Sequence, residues 1–158
     1  MKKRNLLVVD DDPDVLSMLE RLLKKLEYNP LVAKNGEEAV KIIDRNKVDV
    51  VVSDLVMPEM DGMELLKRVK SRKGDVPFVM ITGHPTIETA VEAIKKGAYD
   101  YITKPFQVEE VQIKIDRALE KRGLRRSLRW ANGVIWALIF SIPIWLILGI
   151  ILASILGD

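Results

Sequence analysis

Cysteine is absent from this chain of 158 residues. That absence excludes disulfides, thiol catalysis and Cys-type zinc sites. A strong charge of either sign is also missing: the net charge is +2 and the pI near 8.8, which does not by itself imply nucleic acid. No solenoid-type repeat and no hairpin signal occur. The N-terminus, Met1 to Asn5, is too quickly followed by acids to be a secretory signal, so the folded part is expected in the cytoplasm. Beyond Arg129 the only charge is Asp158. What remains is an ordinary globular composition, 48% hydrophobic and 30% charged, with room for one domain of about 120 residues plus an appendage.

Four apolar runs end in reactive side chains. Leu6–Val9 leads into Asp10, Asp11 and Asp12; Val50–Ser53 into Asp54; Phe78–Ile81 into Thr82; Tyr101–Thr103 into Lys104 and Pro105. Short β-branched runs separated by helical stretches read as buried parallel strands. In an open α/β sheet, ligands bind outside the carboxyl ends of such strands. Several carboxylates, a hydroxyl and an ammonium would therefore share one edge, a set suited to a magnesium ion and a phosphoryl group.

The intervening segments carry helix signals. Asp12-Pro13 is an N-cap acid followed by proline at the first helical position. Val15, Leu19, Leu22 and Leu26 then repeat at helical spacing until Asn29-Pro30, read as the stop. A short strand follows at Leu31–Ala33. Asn35-Gly36 turns into a helix at about 37–45, and a strand is expected at about 49–53. After the Met57–Gly62 loop come a helix at about 63–71 and, beyond Pro77, the fourth strand. A helix at 87–96 closes on Gly97, and a strand at about 99–103 precedes a helix at about 108–122. Five βα units imply a parallel sheet covered on both faces.

Residues 4 to about 122 resemble the receiver domain of bacterial two-component response regulators, within that group most closely the nitrogen-regulatory type. The resemblance is carried by Val8-Val9-Asp10-Asp11-Asp12, Ser53-Asp54 with Met57-Pro58-Glu59-Met60-Asp61-Gly62, Ile81-Thr82-Gly83-His84, and Gly97-Ala98-Tyr99-Asp100-Tyr101 leading to Lys104-Pro105-Phe106. It implies an α/β, flavodoxin-like (βα)5 fold, a doubly wound sheet of strand order 2-1-3-4-5, and phosphotransfer from a histidine kinase to one aspartate.

In that scheme Asp54 is the phosphoacceptor, a carboxylate that attacks phosphorus. Asp10 and Asp11 offer oxygen ligands to Mg2+, which takes one or two carboxylates, waters and the phosphate. The resemblance makes Asp11 the direct ligand and the Val56 carbonyl another. Lys104 would pair with phosphate oxygens, and Thr82 would hydrogen-bond one of them; phosphoryl transfer needs mainly such positioning and charge neutralisation. Tyr101 resembles the switch aromatic that moves inward as Thr82 engages phosphate, though a lone tyrosine also reads as half-buried packing. His84 reads as a surface-loop residue that could affect access of water. The Lys104–Pro105 bond is expected cis, as in the resembled family.

Two other classes fit parts of the pattern. Asp-x-Asp after an apolar run also marks aspartyl-phosphate hydrolases of the haloacid dehalogenase type, with Asp10 as nucleophile and Asp12 as acid. Pro13 stands where that group has glycine, no cap-sized insertion is present, and the Met57–Gly62 loop goes unexplained. A phosphorylation-independent binding module is the other alternative, against which the intact Asp10, Asp11, Asp54, Thr82 and Lys104 set argues.

The tail departs from the resembled family. Val134–Leu156 is 23 residues without a charge, and about 20 suffice to span a bilayer as helix. Lys121, Arg122, Arg125, Arg126 and Arg129 precede it, which predicts the basic side in the cytoplasm. The expected organisation is a receiver at 1–122, a basic juxtamembrane linker at 123–132 and a C-terminal transmembrane helix at 133–158, held by lipid along 133–156. The chain is then a single-pass protein of the inner membrane with its C-terminus on the far side. A helix apolar on every face argues against a soluble self-association helix. With no recognisable DNA-binding module, no direct nucleic-acid partner is expected. Gly133, Ala137 and Ser141, and again Gly149, Ala153 and Gly157, recur at a spacing that lets membrane helices approach, so a homodimer is a possible assembly. Output would come through partner docking, pairing or onward phosphotransfer, with a sensor histidine kinase or phosphotransfer protein as donor.

Overall fold

The computed structural model describes residues 3–123 together with 136, 137, 139 and 141. The chain divides into two units, Met1–Arg122 and Gly123–Asp158. In the first, the elements run β1 (Asn5–Val9), α1 (Pro13–Lys25), β2 (Asn29–Ala33), α2 (Gly36–Arg45), β3 (Val50–Asp54), α3 (Gly62–Arg72), β4 (Phe78–Thr82), α4 (Ile87–Lys95) and β5 (Asp100–Thr103), followed by helix α5 at 108–123. The sheet is parallel throughout, in the order β2-β1-β3-β4-β5, as the resemblance implied. Of the second unit, Trp136, Ala137, Ile139 and Ser141 are helical. The rest of the expected linker and membrane helix lies outside the described residues. Among the described residues no helix is long and apolar enough to cross a membrane.

Period-2 alternation sorts the strand residues onto two faces. Leu7, Val9, Val51, Phe78 and Met80 join Ile43, Leu65, Leu66 and Ala93 under α2, α3 and α4. Leu6, Val8, Val50, Val52, Val79 and Ile81 join Leu19, Leu23, Val111 and Ile115 under α1 and α5. Both faces are covered, which is why the central strands are continuous apolar runs.

Most expected elements differ from the observed ones by a residue or two; one difference has a clear physical cause. Asn29-Pro30 does not stop α1. That helix ends at Lys25, with Leu26 as its cap and Glu27 in the left-handed region at φ 62°. Asn29 and Pro30 instead open β2, where Pro30 pairs with Leu6. Because β2 is an edge strand bonded only to β1, the proline's missing N–H costs no ladder bond on its outer side. Gly97 follows α4 at φ 99°, the conformation expected of a glycine after a helix end.

Arg122 corrects the reading of the basic stretch. Rather than joining a free juxtamembrane charge run, it is only 5% exposed. Its Nη1 donates to the carbonyls of Val48 (2.9 Å) and Asp49 (2.7 Å), 3.3 Å from Asp49 Oδ1, and Nε lies 3.7 Å from Asp75 Oδ2. This buried guanidinium ties the end of α5 to the start of β3. Its neighbour Lys121 sits over the Tyr99 ring, 5.1 Å from the centroid. Arg122→Ala leaves a buried carboxylate and two carbonyls short of a donor, and should lower unfolding free energy by about 3–5 kcal/mol. Lys121→Ala, at an exposed position, should change it by no more than about 1 kcal/mol. Urea unfolding of both variants checks the contrast.

Candidate phosphoryl and metal site

Register alone brings the chemistry to one edge. Val9 pairs with Ser53, Asp54 with Ile81, and Thr82 with Thr103, so Asp10, Asp54, Thr82 and Lys104 all fall at or just past the strand ends. Asp12 turns the chain into α1 by accepting from the N–H groups of Asp14 (2.8 Å) and Val15 (3.5 Å). Its own N–H donates to Asp10 Oδ1 at 2.9 Å, which fixes one side of that carboxylate. After β3, Leu55 donates to Ile81 and Gly62 donates back to Leu55, each at 2.8 Å. The Met57–Gly62 loop therefore returns to the strand end before α3 begins.

The centre of the site is an ammonium between two buried carboxylates. Lys104 Nζ donates to Asp10 Oδ2 at 2.8 Å and lies 2.9 Å from Asp54 Oδ1. Asp10 and Asp54 are 2% and 6% exposed, while Asp11 is exposed. Ligand oxygens from Asp10, Asp11 and Asp54 all lie within 4.8 Å of one another. Asp54 Oδ2 accepts from the Val56 N–H at 3.1 Å. Oδ1 is buried without an aligned hydrogen-bond donor, because the Lys104 contact is an ion pair off the bonding direction.

Burial pushes the Asp54 carboxyl above its ordinary value; the Lys104 pairing lowers it and the Asp10 charge raises it further. Burial disfavours the Lys104 charge, but pairing with the Asp10 and Asp54 carboxylates outweighs it and holds the ammonium above its usual value. A compact oxygen-only cluster with an underserved buried oxygen fits a hard cation such as Mg2+. Asp10, Asp11 and Asp54 are the residues that would hold it.

The remaining expected residues lie around this centre. Thr82 is fully buried, and its Oγ1 accepts from the His84 N–H at 3.1 Å; His84 itself is exposed. The Lys104–Pro105 bond is cis. Tyr101 is half-buried, packs on the α2/α3/α4 core, and its hydroxyl lies 3.1 Å from Thr89 Oγ1. Val56 is exposed next to Asp54.

Two further contacts carried no sequence signal. Thr89 both completes the α4 capping box with Thr86 and meets Tyr101; Thr86-x-x-Thr89 departs from the usual Ser/Thr-x-x-Glu pattern. Lys114 Nζ binds the Tyr101 carbonyl (2.8 Å) and Asp100 Oδ1 (2.7 Å), and it reads as an ordinary helix-surface lysine.

Against known proteins, a family profile described as "Response regulator receiver domain" matches residues 6–116. The nitrogen assimilation regulatory protein NtrX of Azorhizobium caulinodans is 39% identical over 127 residues, covering 79% of this chain and 28% of the relative. A response regulator receiver domain protein from Clostridium thermocellum superposes with a TM-score of 0.74 at 30% identity, covering 77% of this chain and 98% of that one. The beryllofluoride-activated NtrC4 receiver domain dimer gives a TM-score of 0.72 at 40% identity, covering 75% and 98%. The chain spans only 26% to 30% of the length of the curated relatives it matches.

Gly62 sets the distance between the Met57–Gly62 loop and β3. A Cβ there would come 2.3 Å from the Asp54 carbonyl oxygen and 2.9 Å from Leu55 Cα, whereas one at Gly83 meets nothing within 4 Å. Gly62→Ala should therefore shift the Asp54 and Leu55 amide resonances and cost about 1–3 kcal/mol of stability. Gly83→Ala should leave both measurements near wild type.

Proposed function

Because the chain belongs to the response regulator receiver domain family, we propose that it accepts a phosphoryl group on Asp54 from a histidine kinase or phosphotransfer protein, in a Mg2+-dependent reaction. The observation that carries this reading is Lys104 held between Asp10 and Asp54, with Asp11 in the same oxygen cluster. An Asp54 oxygen forms the new P–O bond as the donor's P–N bond breaks, and the leaving imidazole nitrogen keeps the electron pair.

Asp10, Asp11, Asp54 and the Val56 carbonyl would hold the ion, which when bound neutralises the carboxylates and the phosphoryl oxygens. Lys104 is near enough to follow a phosphoryl oxygen as Asp54 loses its charge. Thr82 Oγ1 has its own proton to donate to another. Tyr101 would reorient as Thr82 engages, at the expense of its contact with Thr89. The chain acts as a phosphoacceptor, with any turnover limited to its own phosphorylation and dephosphorylation.

The same proposal places the chain at a membrane. Its support is the uncharged stretch Val134–Leu156 after Arg125, Arg126 and Arg129. Tethering would raise the effective concentration of a membrane-bound kinase or a second copy of this chain. The protein would be single-pass in the inner membrane with the receiver cytoplasmic.

Incubation with acetyl phosphate and Mg2+ should label the wild-type chain and not Asp54→Asn; a chelator should abolish the label, and Asp10→Asn should retain some. Absence of label on the wild type would favour the phosphorylation-independent module. Label retained in Asp54→Asn but lost in Asp10→Asn would favour the hydrolase scheme. For the tether, the chain should stay with membranes through alkaline carbonate extraction, and its release would remove the tether.

A further inference from the structure

The edge opposite the phosphoryl site is basic, and its charge exceeds what helix ends require. Helices in a βα sheet run back against their strands, so each ends where the next strand begins. Hydrogen bonds mark that edge: Asn29 N–H to the Arg4 carbonyl (2.8 Å), Asn5 Nδ2 to the Lys47 carbonyl (2.7 Å), and Arg122 to Val48 and Asp49. Lys3, Arg4, Arg45, Lys47, Lys73 and Lys95 lie there, all exposed, and none is in an ion pair among the described residues.

Most acids of that edge are already engaged. Asp44 faces Arg72 at 3.4 Å, and Asp49 and Asp75 face Arg122. Asp100 faces Lys114 at 2.7 Å, Asp116 accepts from the Tyr28 hydroxyl, and Glu27 and Glu120 are exposed.

Basic last turns of helices are expected from the macrodipole, and they account for Arg45 and Lys95. They do not account for Lys3, Arg4 and Lys47, which lie just before strands. The opposite edge carries Asp10, Asp11 and Asp54 together with the first-turn acids Asp14, Glu37, Glu64 and Glu88. An anionic plane would thus attract one edge and repel the other.

Chain continuity selects the plane. Arg122, clamped to the basic edge, is the last residue before the segment holding Arg125, Arg126, Arg129 and the uncharged stretch. We propose that the basic strand-start edge of the receiver lies on anionic lipid headgroups, leaving the Asp54 edge turned toward the donor. This rests on the tether reading for its geometry, since a chain held elsewhere would not bring the edge to lipid. Contact is electrostatic and therefore salt-sensitive.

The absence of native cysteine makes a test direct. Ser71→Cys, near the end of α3, and Glu88→Cys, in the first turn of α4, each carry a single fluorophore on the full chain in vesicles with headgroup-borne quencher. Quenching at position 71 should rise severalfold when phosphatidylglycerol replaces phosphatidylcholine, fall with added salt, and stay low at position 88. Each cation removed from Arg45, Lys47, Lys73 and Lys95 by substitution with Gln should lower the association constant of the edge for lipid about fivefold, without stopping flotation of the vesicle-held chain. Equal quenching in the two lipids, or equal quenching at both positions, overturns the proposal. So does duplex DNA binding to the detergent-held chain that the same substitutions abolish, which would assign the edge to nucleic acid. Failure to float with phosphatidylcholine vesicles overturns the tether instead; flotation with phosphatidylglycerol alone, reversed by salt, would still support the edge.

Discussion

The Lys104 ammonium is the contact on which the site depends. Two buried carboxylates within 4.8 Å of each other repel by roughly 3 kcal/mol at an effective dielectric near 20. Neither would be tolerated as an anion so close to the other without a cation between them. Lys104 supplies that cation from just past the end of β5, the strand farthest in sequence from β1. The ion pair thereby closes the sheet edge across β1, β3 and β5. It is also incomplete: Asp54 Oδ1 is buried with no aligned donor, and Asp11 stands exposed beside the pair. A site with surplus negative charge and an underserved oxygen is poised for one more cation and for an electrophile at Asp54.

The same fold segregates charge along its strands. Helix N-termini and strand ends gather acids around Asp54, while helix C-termini and strand starts gather bases at the other edge. Arg122 belongs to the second group and is buried there, so α5 is fastened to the β3 start that leads directly to Asp54 at its far end. Four residues of β3, Val50 to Ser53, thus separate Asp49, where Arg122 is clamped, from the Asp54 carboxylate.

Much of this was legible in the sequence because periodicity and strand-end chemistry are local signals. The apolar runs before Asp10, Asp54 and Thr82 located three central strands, and parallel topology then forced their ends together. The Asp12-Pro13 cap and the Gly97 stop were equally local. Pro30 misled because its tolerance depends on β2 being an edge strand, a fact of sheet order rather than of neighbouring residues. Arg122 looked like one more member of a solvated basic run; its burial depends on Val48 and Asp49, more than seventy positions away. Thr89 and Lys114 were missed for the same reason, since each acquires its contact with Tyr101 only when α4, β5 and α5 have packed.

Divalent-ion stabilisation of the fold tests the central claim most directly, because it reads the oxygen cluster without requiring phosphotransfer. Urea unfolding of the full chain should show a free energy that rises with Mg2+ at constant ionic strength, reaching about 2.7 kcal/mol when the ion is at about a hundred times its dissociation constant. Asp11→Asn, which leaves the Lys104 pairs intact, should lose most of that rise. A wild-type unfolding curve identical in magnesium and potassium would contradict the account.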